Sequence, residues 1–192
     1  KMLNKVAYKI AKKIVECSDA DKEEIYIYGL ELIISTFFGL VSILLISCLL
    51  SRFTSGLVFI SVFVPLRLFT GGFHAATYTR CFVISNISYL LILFVRDITL
   101  EIFPMWTWLF LLIGMCCYII KNAPIVNSAQ PINEQRQKHN KKMTKYALIA
   151  DIAWIICLAI NQRELMVMAI LSIFLITVLM MISDSSINVH SL

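Results

Sequence analysis

A histidine and a cysteine, His74 and Cys81, lie seven positions apart in the segment 65–85. Such a pair can act as a nucleophile and its general base, because a neighbouring imidazole lowers the pKa of a thiol and the thiolate is the reactive species. On one straight helix the two side chains would share a face but lie roughly 10 Å apart along the axis, beyond hydrogen-bond reach. If they act together, the chain must bend between them.

The residues around this pair could provide the bend. Gly71 and Gly72 precede the histidine, and glycine adopts backbone angles that other residues avoid. Thr77 or Thr79 could cap a new helix before the cysteine. Cys81 would then lie in a first helical turn, where the helix dipole favours a thiolate and free backbone N–H groups could receive an oxyanion. The plain alternative is an incidental His and Cys without a catalytic role.

The composition determines where these residues must operate. Hydrophobic residues make up 59% of the 192 residues, charged residues make up 15%, and the mean hydropathy is +0.83. Soluble domains contain about 45–50% and about 25%, respectively. A soluble domain of this length could not bury so much apolar surface. The composition therefore excludes a soluble enzyme, a disordered chain and a nucleic-acid-binding domain, and it indicates an integral membrane protein.

Apolar stretches predict an all-α polytopic fold with about six transmembrane helices. We expect one membrane-embedded domain over residues 1–192. The predicted spans are residues 25–50, 55–69, 81–98, 104–120, 146–160 and 165–182. Several are shorter than the roughly 20 residues that cross a bilayer comfortably, and the second contains Pro65.

Two polar segments flank or interrupt the spans. Residues 1–17 alternate apolar residues and lysines at helical spacing, which predicts an amphipathic helix lying on an anionic membrane surface. A solvated helix that packs on the rest of the protein is the alternative. Residues 121–145 are predicted to form a cytoplasmic polar loop, whose basic residues need do no more than set the topology.

The distribution of basic residues predicts the orientation. With six spans and a cytoplasmic N-terminus, 14 of the 17 Lys and Arg lie on the cytoplasmic side, and Arg52, Arg96 and Arg163 lie on the outer links. This agrees with the positive-inside rule. We therefore expect a multi-pass protein of the cell membrane in which His74 and Cys81 face the cytoplasm.

Two carboxylates are predicted to lie inside the membrane boundary. Glu31 is six residues into the first predicted span and Asp151 is five residues into the fifth. Buried ionisable groups are costly and usually face a polar interior. Either acid, Glu31 being preferred, could orient the histidine as the third member of a triad or pair with Arg67. Ser85 follows the cysteine by one helical turn and could line the site, although a serine bonded to its own helix is the simpler interpretation.

A motif in this region resembles that of a known family. Arg67, Gly72, His74 and Cys81 form the pattern R-x-x-x-x-G-x-H-x-x-x-x-x-x-C. The pattern is similar to the signature of the accessory gene regulator B (AgrB) family, membrane cysteine endopeptidases of Gram-positive quorum-sensing systems. The resemblance extends to the basic amphipathic start, the apolar spans and a polar loop that opens with Ala123-Pro124.

The resemblance implies a thiol protease that makes an autoinducing peptide. Cys81 would be the nucleophile and His74 the general base in cleavage of an AgrD-type precursor at the cytoplasmic face. An acyl-thioester would form, and an internal Cys or Ser would close a thiolactone or lactone ring. Arg67 would neutralise a substrate carboxylate or brace the loop, and Gly72 would shape the turn. No metal or other cofactor is implied.

Two other functions are compatible with the spans. One is a small transporter or exporter of a peptide without covalent chemistry, although the sequence lacks the second broken helix that is typical of transporters. The other is a membrane scaffold or sensor subunit. The expected partners are the precursor peptide and membrane lipids but no nucleic acid, and a homodimer is compatible with the sequence.

Overall fold

The computed structural model describes residues 23–71, 78–125 and 133–190, with side chains for residues 33–71, 82–125, 133–160 and 162–183. The described residues form six helices: α1 (Glu23–Leu49), α2 (Phe53–Thr70), α3 (Tyr78–Ile102), α4 (Met105–Asn122), α5 (Glu134–Asn161) and α6 (Arg163–His190). Five of them are long and apolar enough to span a membrane, and α1 contributes the shorter apolar stretch Ile33–Leu49. The predicted all-α polytopic membrane fold is thereby confirmed.

The helices are longer than the predicted spans, most of all α5. This helix begins at Glu134 rather than at Tyr146, so the second half of the segment 121–145 is helical instead of loop. The reason is that residues 134–145 are mostly Glu, Gln, Arg and Lys, which favour helix, whereas a hydropathy pattern detects only the apolar part of a helix. The predicted amphipathic helix at 1–17 lies outside the described residues.

Helix α6 is the centre of the bundle. It packs against α2, α3, α4 and α5. Of its membrane-length segment 67% is buried, compared with 22–39% for the other four spans. Residues 166–173 are buried without interruption. The apolar character of α6 on every side is compatible with this interior position.

Polar contacts and a close approach hold α1 against its neighbours. Ser42 Oγ donates to Asn86 Oδ1 of α3 at 2.9 Å, and the hydroxyl groups of Ser47 and Tyr89 are hydrogen-bonded at 2.7 Å. A Cβ on Gly56 of α2 would lie 2.1 Å from Ser47 Oγ, so this glycine allows α1 and α2 to approach closely. Small residues and interhelical hydrogen bonds are the usual means of packing helices in lipid.

Ionic contacts join three interhelical links at one end of the bundle. Arg52 pairs with Glu164 at 3.3 Å and with Asp97 at 3.7 Å. Arg163 donates to the carbonyl oxygen of Phe103 at 2.8 Å. We call this end, with the links at 50–52, 103–104 and 162, the ion-pair end. The opposite end, with the links at 71–77 and 123–133, is the cysteine end.

Arg96 lies inside the bundle near the ion-pair end. It is fully buried in α3 rather than placed on an outer link. Its Nη1 donates to Ser55 Oγ of α2 at 2.6 Å, and its Nε donates to Asp97 Oδ1 at 2.9 Å. These bonds are what make a buried guanidinium tolerable, and they connect α2 to α3.

Candidate active site

The end of α2 forms a bend three residues before His74. Helix α2 stops at Thr70, and Gly71 adopts φ 67 and ψ −149. Arg67, in the last turn, donates from Nη1 to the Gly71 carbonyl oxygen. A basic side chain is well placed there, because the last carbonyls of a helix lack intrahelical partners and carry partial negative charge.

Gly71, where the chain bends, lies directly against Ile125 in the chain that leaves α4. Ile125 N donates to the Thr70 carbonyl oxygen at 3.0 Å, and Gly71 and Ile125 form an isolated parallel bridge. A Cβ at position 71 would lie 2.6 Å from the Ile125 carbonyl oxygen, and φ is positive. Glycine is therefore required on both counts. The α2–α3 link and the α4–α5 link consequently start side by side.

Sequence reasoning missed this contact. The pair Ala123-Pro124 was noted only as the opening of a polar loop, yet both residues and Ile125 are buried. The available signal was the apolar pair Ile125-Val126 within an otherwise polar segment. An apolar pair there has no reason to face water, so it indicated a contact with the bundle.

The described part of α3 runs from Tyr78, and Cys81 is its fourth residue. The preceding residues 72–77 lie outside the described residues, so a first-turn position for Cys81 stays a prediction. The first backbone N–H groups of a helix have no intrahelical acceptor and carry partial positive charge, so they can stabilise an anion. Thr79 is inside the helix and Thr77 is outside the described residues.

The cysteine is level with the end of α2. Helices α2 and α3 are antiparallel, and Ser55 bonds to Arg96 near the ion-pair end. Thr70 follows Ser55 by as many residues as Cys81 precedes Arg96. Since both helices rise by the same distance per residue, Thr70 and Cys81 reach the same level at the cysteine end.

Several predicted site residues are placed only in part. His74 and Gly72 lie outside the described residues. Cys81 and Glu31 are placed by their helices, not by their side chains. Ser85 is half-buried one turn beyond the cysteine. The hydrogen bond between His74 and Cys81 therefore stays a prediction.

Asp151 lies deeper in the bundle than the cysteine. It is 6% exposed on the packed face of α5, and its Oδ2 has no hydrogen-bond partner among the described residues. Along the axis of α5, Asp151 lies roughly 15 Å from Asn161. Along the axis of α2, Thr70 lies roughly 26 Å from Phe53. Both Asn161 and Phe53 are at the ion-pair end, so Asp151 lies roughly 10 Å from the level of Cys81.

Glu31 and Asp151 lie on opposite sides of the level of Cys81. Ser42 of α1 and Asn86 of α3 are hydrogen-bonded, and both helices run towards the ion-pair end. Counting back along each helix places Glu31 roughly 9 Å beyond the level of Cys81, at the cysteine end. Of the two acids, Glu31 is thus the one whose backbone lies towards the link that carries His74.

A comparison with protein-family models identifies the chain. The model described as Accessory gene regulator B matches residues 3–183, nearly the whole sequence. The chain belongs to the AgrB family. No curated protein and no solved structure is a significant match.

Membership of the AgrB family places the protein in the accessory gene regulator pathway of quorum-sensing peptides. The family is known for enzymatic processing of a peptide. The five helices that could span a membrane agree with a multi-pass member of this family. The family match covers all positions of the R-x-x-x-x-G-x-H-x-x-x-x-x-x-C pattern, whose described residues, Arg67 and Cys81, lie at the cysteine end.

The two ends of this AgrB-family bundle differ in charge. Exposed basic residues are concentrated at the cysteine end, on the last turn of α4 and the first turns of α5: Lys121, Arg136, Lys138, Lys141, Lys142 and Lys145. At the ion-pair end, the arginines described above contact acidic side chains or a carbonyl oxygen. A strong positive potential therefore surrounds the end that carries Cys81.

Proposed function

We propose that this AgrB-family protein is a membrane cysteine endopeptidase. It would remove the C-terminal tail from an AgrD-type precursor and close the remaining segment into a thiolactone or lactone ring. The observation that carries the proposal is the position of Cys81 at the described start of α3, level with the end of α2. There Arg67 and Gly71 shape the start of the link that contains His74.

The first half of the proposed reaction makes an acyl-enzyme. His74 accepts the proton of the Cys81 thiol, and the thiolate attacks the backbone carbonyl carbon at the cleavage position. Free N–H groups in the first turn of α3 stabilise the oxyanion. His74 then donates the proton to the leaving amine, the C–N bond breaks, and the tail departs. The peptide remains bound to Cys81 as a thioester.

The second half closes the ring. A thiol or hydroxyl group inside the peptide attacks the thioester carbonyl, and His74 takes its proton. The carbon–sulfur bond to Cys81 breaks, and the cysteine leaves as a thiol with that proton. Exchange of one thioester for another keeps the energy of the bond, so thiolactone formation needs no ATP.

Neighbouring residues are proposed to position the pair. Arg67 holds the carbonyl at the start of the link through its bond to Gly71. Gly72 is proposed to shape the turn that follows. The level of Glu31 supports it as the carboxylate that orients His74. Asp151, which is deeper in the bundle, is the second candidate for that role, and Ser85 lines the site one turn beyond the nucleophile.

We propose that the cysteine end faces the cytoplasm of the cell membrane. The concentration of basic residues at this end supports that orientation, because Lys and Arg near transmembrane helices are retained on the cytoplasmic side. A newly made precursor would meet the site without crossing the bilayer. Membrane lipids surround the enzyme, and a homodimer stays a prediction.

The test is processing of a synthetic precursor by the purified full chain in lipid vesicles. Mass spectrometry would follow release of the tail, formation of the ring and the mass of the cysteine-containing fragments. A precursor whose internal nucleophile is replaced by Ala should accumulate as an adduct on Cys81. Cys81→Ser should lower cleavage at least about a hundredfold, because the nucleophile is lost.

Cys157→Ser is the matched control. This cysteine lies exposed on α5, near the ion-pair end, and its loss should leave cleavage within about twofold of wild type, as expected for an exposed substitution away from the site. Unchanged cleavage in Cys81→Ser would contradict the proposal. Transport of intact precursor by both variants would instead support an exporter without covalent chemistry.

A further inference from the structure

Four lysines form a stripe on the first turns of α5. Lys138, Lys141, Lys142 and Lys145 follow each other at spacings of three, one and three residues, and all four are exposed. At 3.6 residues per turn these positions share one face of a helix. We call this face the lysine stripe.

The lysine stripe points away from the bundle. The buried residues of α5 follow a separate face: Thr144, Leu148, Asp151, Ile155 and Leu158. The face that continues the stripe towards the ion-pair end carries Ile149, Ile156 and Ile160, which are 63%, 61% and 74% exposed. Exposed isoleucines on a membrane span face lipid, so the stripe lies on the lipid-facing side of α5.

The depth of the stripe corresponds to the headgroup layer. Helix α5 has 28 residues and is therefore roughly 42 Å long, close to the thickness of a bilayer including its headgroups. Tyr146, 54% exposed, lies next to the stripe, and Lys142 Nζ is 5.8 Å from the centre of its ring. Tyrosines collect at the interface between hydrocarbon and headgroups. Lysines just beyond such a residue extend into the headgroups.

We propose that the lysine stripe is a binding surface for the headgroups of anionic phospholipids. It places a row of ammonium groups on the side of α5 that contacts lipid, at the depth of the phosphates. An acidic peptide would have to displace lipid to reach this face, so lipid is the favoured occupant. The inference does not depend on the proposed peptidase activity.

The full chain in bilayers of neutral phosphatidylcholine and anionic phosphatidylglycerol provides the test. Trace spin-labelled lipids of each type report, through their restricted mobility, the association constant of each headgroup with the protein. Wild type should prefer the anionic lipid, and added salt should reduce the preference. Lys141→Gln/Lys145→Gln should lower the preference roughly two- to fivefold, because each surface lysine attracts anionic lipid.

Two controls isolate the stripe. Lys121→Gln/Arg136→Gln removes the same charge from the cysteine end but leaves the stripe intact, and it should keep the wild-type preference. Lys141→Arg/Lys145→Arg keeps the charge and should also keep the wild-type preference for anionic lipid. This variant shows that substitution at the two positions does not by itself cause a folding defect. An equal loss in Lys121→Gln/Arg136→Gln would overturn the proposal in favour of general charge.

A separate measurement distinguishes a peptide partner. A labelled oligoglutamate peptide is titrated against the protein in bilayers of neutral lipid alone. Binding that depends on Lys141 and Lys145, combined with no lipid preference in wild type, would overturn the lipid surface and assign the stripe to an acidic peptide. Lipid preference that depends on the stripe, with no peptide binding, is the expected result.

Discussion

One backbone carbonyl decides which residue can begin the α2–α3 link. Gly71 has a positive φ, and a Cβ there would lie 2.6 Å from the Ile125 carbonyl oxygen. We expect Gly71→Ala to cost about 1–3 kcal/mol of stability and to lower peptide processing, because strain is added and the start of the histidine-bearing link shifts. Thermal unfolding of the purified protein and turnover of a precursor measure the two effects.

Gly114 provides the control for that substitution. It lies within α4, and a Cβ there would meet nothing within 4 Å. Gly114→Ala should therefore leave stability unchanged or raise it by up to about 1 kcal/mol, since alanine favours helix over glycine. If the two variants behave alike, the bend at Gly71 does not constrain the site.

For the two carboxylates, Glu31 and Asp151, we predict opposite effects on turnover when the side chain is neutralised. Glu31→Gln should lower kcat at least about tenfold with little change in KM, because a carboxylate that orients a general base acts on the chemical step. Asp151→Asn should retain turnover and unfold at the same or a higher temperature, because the buried Oδ2 has no partner among the described residues to lose.

Rescue and reversal distinguish these roles. Glu31→Asp keeps the charge and should recover part of the lost turnover, with the pH profile of kcat closer to that of wild type. A loss of turnover in Asp151→Asn, with Glu31→Gln fully active, would transfer the positioning role to the deeper acid. Full activity in both Glu31→Gln and Asp151→Asn would exclude either acid as a third member of the catalytic group.

At the scale of helices, a buried guanidinium holds α2 against α3. Arg96→Met should destabilise the protein by about 1–3 kcal/mol, because the buried Ser55 hydroxyl group loses its hydrogen-bond partner and the link between α2 and α3 is lost. Arg163→Gln removes an exposed arginine at the same end and should cost at most about 1 kcal/mol. Chemical or thermal unfolding, followed by circular dichroism, compares the two.

The extension of α5 shows that a helix can be longer than the apolar span that crosses the membrane. Residues 134–145 continue the helix that crosses the membrane, although they are polar and hydropathy assigns them to a loop. Backbone hydrogen bonds propagate into a polar segment when its residues favour helix, whereas hydropathy stops at the first lysines. The lysine stripe exists only because these residues are helical and therefore share a face.

For the whole molecule, orientation is open to a direct test. Gln135 and Gln162 are exposed at opposite ends of the bundle, on α5 and on the α5–α6 link. Each is changed to Cys in a chain whose native cysteines are replaced. A membrane-impermeant maleimide should label Gln162→Cys on intact cells and Gln135→Cys only after permeabilisation, because basic residues retain the cysteine end in the cytoplasm. The reverse pattern would place the site outside.

Most of the fold could be predicted from local sequence patterns. Apolar runs identify six helices, and the glycine pair at 71 and 72 predicts the bend that the structure shows at Gly71. These features depend on residues that are near one another in the chain, so a single sequence contains the necessary information.

Contacts between distant segments were decided only by the tertiary structure. The pairing of Gly71 with Ile125, the burial of Arg96 between α2 and α3 and the lack of a partner for Asp151 Oδ2 among the described residues all arise from packing between different segments of the chain. Hydropathy and spacing describe one helix at a time. They contain no information on which faces meet, because that choice depends on how all six helices fill the space around α6.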